Sequence, residues 1–432
     1  MSDGFQNANQ PSNGTESTDS PESADSLVEH FFRHEHANLV SVLSRVFGLA
    51  RLELIEETVQ AAMLQAMNSW KQNGLPKNPA AWIHRVAKNR ILDELRREEV
   101  FRRAMAEVVV PSESPEQLVD HWLEEAELPD SLLRMIFVCC HPVLDRQSQI
   151  ALTLKVLCGF GVHEIARGLL LNPENVKKRI QRAKQKLARE SIAIELPAAS
   201  ELQERLSAVH DTLYLMFNEG YSTSRGSDPI RDDLCEESAR LCHLLCNSEL
   251  GSRTSFALLA LMLYHGSRLE SRKDEDGETV LLEDQDRAKW DRNLILIADR
   301  WMQRAGLPES RFHLEAAIAM LHCRAQSVEA TDWNAIVSLY DRLLELHASP
   351  VYRLNRAIAL AQRGDEAEAM RELSWLDQSN QIRESFLLDC AIAKVHELAG
   401  EKTAAVDRLL LALSRDVADH ERELIKRKIA AL

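Results

Sequence analysis

The stretch QSQIALTLKVLCGFGVHEIARGLLLNPENVKKRIQRAKQKLARE, residues 147–190, carries the pattern that decides the fold class of this chain. Ile150 to Leu157 places apolar residues at three- and four-residue spacing and is stopped by Gly159 and Gly161. Val162, Ile165, Ala166 and Leu169 give the next segment, Val162 to Leu170, one apolar face. Asn172 then precedes Pro173, a capping side chain followed by a residue whose fixed φ suits a first helical turn. The helix so opened sets Val176, Ile180, Ala183 and Leu187 on one stripe and Lys178, Arg182, Lys186 and Arg189 on another. From Pro173 to Glu190 there are seven bases and two acids. A short helix, a tight turn and a capped basic helix are what entry into a DNA major groove requires, with N-terminal residues at base edges and long cations on phosphates. A solvated amphipathic helix would share the charge pattern. The short helix and the Asn-Pro start favour DNA.

Outward from this module the helical spacing continues almost everywhere. Strand-like alternation is nearly absent, and most of the 15 Gly and 13 Pro fall between periodic segments, so the chain is expected to be all-α. Residues 1–26 carry five acids, no base and almost no large apolar side chain, and are expected to be a disordered tail. The segment Glu107–Pro115 is the one expected extended piece, and Arg268–Asp286 a loop or short hairpin. A second basic module, residues 53–103, pairs a helix Glu53–Trp70 with a helix Ala80–Arg103 across the turn-rich loop Lys71–Pro79. The second of these helices carries Arg85, Lys88, Arg90, Arg96, Arg97, Arg102 and Arg103 around a stripe of Ile83, Val86, Ile91 and Leu95. A basic helix beside a polar loop suits single-stranded nucleic acid. Trp82 reads either as a stacking platform or as core.

The net charge of −15, from 67 acids and 52 bases, taken whole argues against a nucleic-acid partner. Its distribution reverses that conclusion. Residues 104–131 hold eight acids and no base, the flanking 27–103 and 132–192 together stand at +10, and residues 193–432 stand at −12. The chain therefore reads as two basic modules joined by an acidic linker and followed by a large acidic domain. No apolar run reaches the roughly 18–20 residues of a membrane span, and no signal-like start precedes the tail, so a cytoplasmic protein is expected.

The string PAAWIHRVAKNRILDELRR (79–97) resembles region 2 of the small extracytoplasmic-function (ECF) sigma factors of the sigma-70 family. VHEIARGLLLNPENVKKRIQRAKQKL (162–187) resembles their region 4. The resemblance implies sigma region 2 as a helical bundle over 27–103 and helix-turn-helix region 4 over 132–192. It implies an alternative sigma factor whose partners are core RNA polymerase and promoter DNA. Glu56, Glu57 and Gln60 would meet the β′ clamp, and the far face of region 4 the β flap. Lys77 and Asn78 of the loop, with Arg85, Lys88, Asn89, Arg96 and Arg97, would handle the minus-ten element. Asn175, Lys177, Lys178, Arg179, Arg182 and Lys186 would read the minus-thirty-five element. The acidic linker would thread a positively charged polymerase channel as a nucleic-acid mimic, or be merely solvated.

Beyond residue 192 the chain continues for 240 residues as a C-terminal helical extension (193–432). LYLMFNEGYSTSRG (213–226), RDDLCEESARLCHLL (231–245) and LLEDQDRAKWDR (281–292) resemble the extension of a long-chain group of these factors. NRAIALAQRGDEAEAM (355–370) and AIAKVHELAGEKTAAV (391–406) repeat a small-residue pattern, Gly364 to Gly400 and Ala369 to Ala405. The period is near that of tetratricopeptide (TPR) repeats, so a TPR-like array is expected over about 312–430, with 314–346 a degenerate copy. An ordinary helical bundle is the other reading. Either regulation of the sigma modules in cis or a protein partner of its own is expected of the extension.

The eight cysteines form no C-x₂-C pair. Cys235, Cys242 and Cys246 share a helix face, and with Cys139-Cys140-His141 they read as packed free thiols before they read as a metal site. His30, His34 and His36 share a helix face at what the sequence makes a solvated edge. Asn218, Glu219, Tyr221, Asp228, Asp232, Glu283, Asp284 and Asp286 are the one dense polar constellation, either a site or a set of caps and fastenings. No phosphate loop, nucleophile motif or cofactor motif is present, so neither an enzyme nor a cofactor is expected. A helix-turn-helix regulator with a helical sensor domain, acting without core polymerase, is the alternative function.

Overall fold

The computed structural model describes residues 21–103, 119, 121, 123, 128–169, 171–221, 232–274, 279–379, 385–415, 417 and 419–432. Of the acidic linker only residues 119, 121, 123 and 128–131 are among them, and the 107–115 segment and Asp228 lie outside. Among the described residues every regular element is a helix, and a single antiparallel bridge, Lys273 to Thr279, lies in the stretch expected to be a loop or short hairpin.

Region 2 is built from α1 (Pro21–Phe47), α2 (Leu52–Asn73) and α3 (Pro79–Arg103). Region 4 is built from α4 (Leu128–Cys139), α5 (Arg146–Val156), α6 (Val162–Gly168) and α7 (Pro173–Arg189). The helices start where capping side chains place them. Asp145 accepts from the Ser148 N–H at 3.0 Å to open α5, and Asn172 accepts from the Glu174 N–H at 2.8 Å to open α7. Gly159, in the turn between α5 and α6, has φ 68°, and a Cβ there would sit 3.3 Å from the Arg33 backbone. Both its conformation and that close approach favour glycine.

The extension opens with α8 (Leu202–Tyr221), α9 (Asp232–Asn247), α10 (Arg253–Gly266) and α11 (Arg292–Ala305). It continues as antiparallel hairpins: α12 (Arg311–Arg324) with α13 (Trp333–Leu346), α14 (Pro350–Arg363) with α15 (Glu366–Gln378), and α16 (Phe386–Leu398) with α17 (Lys402–Leu413). Helix α18 (Asp419–Ala431) packs on the last of them. Gly364 and Gly400 follow α14 and α16 with φ 96° and 78°, the positions at which glycine ends a helix without a Cβ penalty. Ala357, Ala369, Ala391 and Ala405 are all buried between helices, so the repeated small residues are where helix axes come close.

Apolar burial divides the molecule differently from the sequence. Region 2, region 4 and the extension as far as α12 share one contiguous apolar core. The hairpins from α12 to α16 enclose a second core, and α16 to α18 a third. Helix α1 packs along α4, and α8 packs on α4 and α5. Region 4 is thus held between region 2 on one side and the extension on the other.

Candidate nucleic-acid and polymerase interface

Helix α7 buries Val176, Ile180, Ala183 and Leu187 and leaves Asn175, Lys178 and Arg182 exposed on its outer side, with Lys177 exposed at the edge that faces region 2. Two other predicted DNA ligands are turned inward. Arg179 pairs with Asp145 at 3.1 Å, and Lys186 donates to the Val143 carbonyl, so both fasten α7 to the start of α5. The solvent-facing cations of this helix are therefore Lys177, Lys178, Arg182 and Arg189, with Asn175 at the N-terminal end where a base edge would be met.

In region 2 the loop before α3 exposes Lys77 and Asn78, and the Asn78 side chain accepts from the Ala81 N–H at 3.0 Å to cap α3. Arg85 and Asn89 are exposed along α3 and Lys88 is half-buried. Arg96 and Arg97 are exposed and lie 3.7 and 2.9 Å from Asp93 and Glu94, pairs within one helix turn that water keeps weak. Trp82 is core: it packs edge-on against Trp70 at 5.8 Å, and Trp70 stacks on Phe32 at 5.5 Å.

On α2 the predicted polymerase ligands separate. Glu57 and Gln60 are exposed, and with Leu64 and Met67, 61 % and 54 % exposed, they form one face at three- and four-residue spacing. Leu64 and Met67 are thus large apolar side chains left uncovered beside Glu57. Glu56 does not lie on that face. It is 5 % exposed and ion-paired with Lys184 of α7, while its other carboxylate oxygen has no hydrogen-bond partner. A free Glu56 was expected. The correction has a physical cause: region 4 sits on region 2 and supplies the cation that makes burial of this carboxylate tolerable.

Several further groups close the same seam. Arg33 of α1 lies over the Phe160 ring at 4.1 Å, pairs with Glu164 at 2.8 Å, and reaches Asp233 of the extension at 3.5 Å. Arg45 of α1 lies 3.0 Å from Asp130 of α4. Within region 2, Glu35 of α1 pairs with His84 of α3 at 2.5 Å. Burial opposes its charge, but hydrogen bonds and charge from His34 and His84 hold its pKa down to about 2. His36 was placed by sequence at a solvated edge; it is wholly buried, and burial with the charges of Lys155 and Lys184 lowers its pKa to about 3. Beside the seam a cavity of about 260 Å³ remains between Leu49 and Leu52 of region 2 and Val162, Ile180 and Ala188 of region 4.

Region 4 is fixed to the extension as firmly. Arg146 meets Asp211 at 2.6 Å, Arg205 donates to the Phe137 carbonyl at 2.8 Å, and Arg240 donates to the Leu157 carbonyl at 3.2 Å. The polar constellation of the extension does not form one site. Tyr221 accepts from Arg268 at 3.1 Å and lies under the Arg272 guanidinium at 3.8 Å, whereas Glu283 is held by Lys394 and Lys428 on α16 and α18. Asp286 caps the turn after it. Cys235, Cys242 and Cys246 are buried core thiols. Among the described residues no three His, Cys, Asp or Glu side chains are grouped to hold a metal ion.

Lys184 and Arg33 were invisible to sequence reading because their partners lie 128 and 131 residues away. Leu64 and Met67 were legible, since they continue the spacing of Glu57 and Gln60.

Comparison with known families agrees with this architecture. Sigma-70 region 2 matches residues 31–100, Sigma-70, region 4 matches residues 134–187, and a family of unknown function (DUF6596) matches residues 205–306. An uncharacterized protein of Rhizobium meliloti (strain 1021) is 39 % identical over 322 residues, 73 % of this chain and 76 % of that one. No solved structure matches. No helix among the described residues is long and apolar enough to cross a membrane. The paired region 2 and region 4 modules mark an RNA polymerase sigma factor, whose partners are core polymerase and promoter DNA. The chain belongs to the ECF sigma factors of the sigma-70 family, with an added C-terminal helical extension.

Proposed function

We propose that this protein is an alternative sigma factor held closed by the docking of region 4, backed by the extension, on region 2. In the open form the Glu57–Gln60–Leu64–Met67 face of α2, joined by Glu56 once it is freed, docks on the β′ clamp. Lys77, Asn78, Arg85, Lys88, Asn89, Arg96 and Arg97 then engage the minus-ten strands. The outer face of α7, Asn175, Lys178 and Arg182 with Lys177 at its edge, enters the groove at the minus-thirty-five element, and the far side of region 4 takes the β flap. Arg179 and Lys186 act on DNA indirectly, by setting the angle of α7.

The observation that carries the closed form is the Glu56–Lys184 pair. The two promoter elements stand about 25 base pairs apart, roughly 85 Å at 3.4 Å per pair. Modules whose side chains touch cannot hold both. The 24 residues between Arg103 and Leu128 extend to roughly 80–85 Å, enough to let region 4 swing away with the extension to which it is bonded. The same residues include seven of the eight linker acids, which suits passage through a cationic polymerase channel. A TPR-like array at the C-terminal end is the surface through which a partner would bias the opening.

Run-off transcription with purified core polymerase tests this reading. Promoter-dependent transcripts that fall with Arg85→Ala plus Asn89→Ala support it. Tight duplex binding by the chain alone, unchanged by core, would instead identify a helix-turn-helix regulator.

A further inference from the structure

The repeat half of the extension encloses a cavity that neither the sigma modules nor their partners use. It measures about 380 Å³ and is bounded by the segment 281–287 on one side and by α14, α16, α17 and α18 on the other. It opens to solvent on one side, and its volume lies in the range of pre-formed small-molecule sites. Its wall is mainly apolar: Leu282, Leu354, Ile358, Ala391, Leu409 and Ile425 line it. Leu387 lines it as well and is 49 % exposed, which puts it at the entrance.

The charged groups on the wall identify what enters. Glu283 lies 2.8 Å from Lys394 and 3.0 Å from Lys428, and Glu397 lies 3.2 and 3.7 Å from the same two lysines. Arg287 gives its donors to the carbonyls of His322 and Ala325, both at 2.8 Å. The two glutamates and two lysines are therefore ion-paired with one another, and the Arg287 donors are taken up by carbonyls, so a charged ligand would have to break an existing ion pair or hydrogen bond. A neutral one would not. The uncharged polar groups on the wall that could orient it include the Gln362 amide, the Cys390 thiol and the His322 imidazole, which burial keeps neutral, while the Asn355 amide is already bonded to Tyr340.

We infer that this cavity is a binding site for a small, uncharged, predominantly apolar molecule. Because the wall is shared between segment 281–287 and the helical hairpins, an occupant touches both and ties the repeat array to the rest of the extension. The site stands independently of the sigma reading, since it requires neither polymerase nor DNA.

Nile red, a neutral apolar dye, tests it on the full chain. The expected result is a saturable rise in blue-shifted emission at one site, abolished by Cys390→Trp, whose indole obstructs the cavity. Cys390 also gives a readout that needs no variant, because it alone of the eight cysteines is not fully buried. With the dye at ten times its Kd, iodoacetamide should alkylate Cys390 about tenfold more slowly, as only the empty fraction reacts. Absence of saturable binding overturns the inference. So does dye binding that leaves Cys390 alkylation unchanged, since the dye then sits on some other apolar surface.

Discussion

Replacing Lys184 with alanine should make this protein bind core RNA polymerase more tightly. The substitution removes a side chain that lies outside the proposed DNA and polymerase faces and whose hydrogen-bonded partner is Glu56. In the closed form it strands a carboxylate with 7 % of its side chain exposed. Breaking a buried pair from one side costs about 3–5 kcal/mol, because the remaining charge loses its hydrogen-bonded partner without gaining water, and the nearby Lys155 charge offsets part of that. Lys184 retains 15 % exposure, so the low end, about 3 kcal/mol, applies. In the open form Glu56 meets water and loses nothing. The closed-to-open ratio should therefore fall by about a hundredfold, at 1.4 kcal/mol per tenfold. If only the open form binds, apparent Kd tracks the open fraction and should tighten by the same factor while closed molecules still predominate. The assay is fluorescence anisotropy of labelled full-length chain titrated with core polymerase, with circular dichroism to establish that K184A is folded. A folded K184A that binds core no more tightly than the unaltered chain would refute the closed-form account. E56Q separates the terms: it also relaxes the seam, but it removes the charge that would meet the clamp, so it should gain less than K184A.

Lys178→Ala with Arg182→Ala should weaken promoter binding by holoenzyme and reduce its log–log salt slope by about one for each phosphate no longer neutralised; an unchanged slope would remove these residues from the DNA face. Acid should destabilise the fold through His36. Its folded pKa, about 3, lies below the ordinary 6.5, so the unfolded chain takes up the proton first. The stability is full above about pH 6.5 and is lost as the pH falls towards 3, by up to about 1.4 kcal/mol per pH unit. Urea unfolding at pH 7, 6 and 5 should show a shallower decline in a folded His36→Asn variant; an equal decline would place the titration elsewhere. Glu35, held down to about 2, extends the loss through the window from 4.5 to 2. Ending the chain after Glu195 should not release an intact sigma core, because α8 and α9 cover α4 and α5. Uncovering even two large apolar side chains costs roughly 3–6 kcal/mol, so this fragment should melt well below the full chain. A fragment as stable as the whole would show that the shared core is dispensable.

Local signals made much of the fold legible. Asn172 before Pro173, Gly159 and Gly161 after an apolar run, and Gly364 and Gly400 one repeat apart each act within a few residues, so the sequence displays their effect directly. The division into modules by charge was equally visible, because charge adds along a chain. Packing between modules was not. Glu56 and Arg179 carry the residue types that a polymerase or DNA contact would use, and their periodicity is that of exposed positions. Only the docking of region 4 on region 2, and of α7 on α5, turns them inward. Lys184 shows the converse: it reads as one more cation on a basic helix, yet it faces the seam. The cavity of the extension is likewise a property of how hairpins stack against segment 281–287, whose residues are distant from the hairpins in sequence.

The central claim, that the two basic modules form one polymerase-binding unit restrained in a closed form, is tested most directly by the affinity of the purified full-length chain for core polymerase, measured beside K184A. A complex of one chain per core, formed weakly by the unaltered protein and more tightly by K184A, is the predicted result. No complex with either form, together with tight duplex DNA binding by the chain alone, would contradict it.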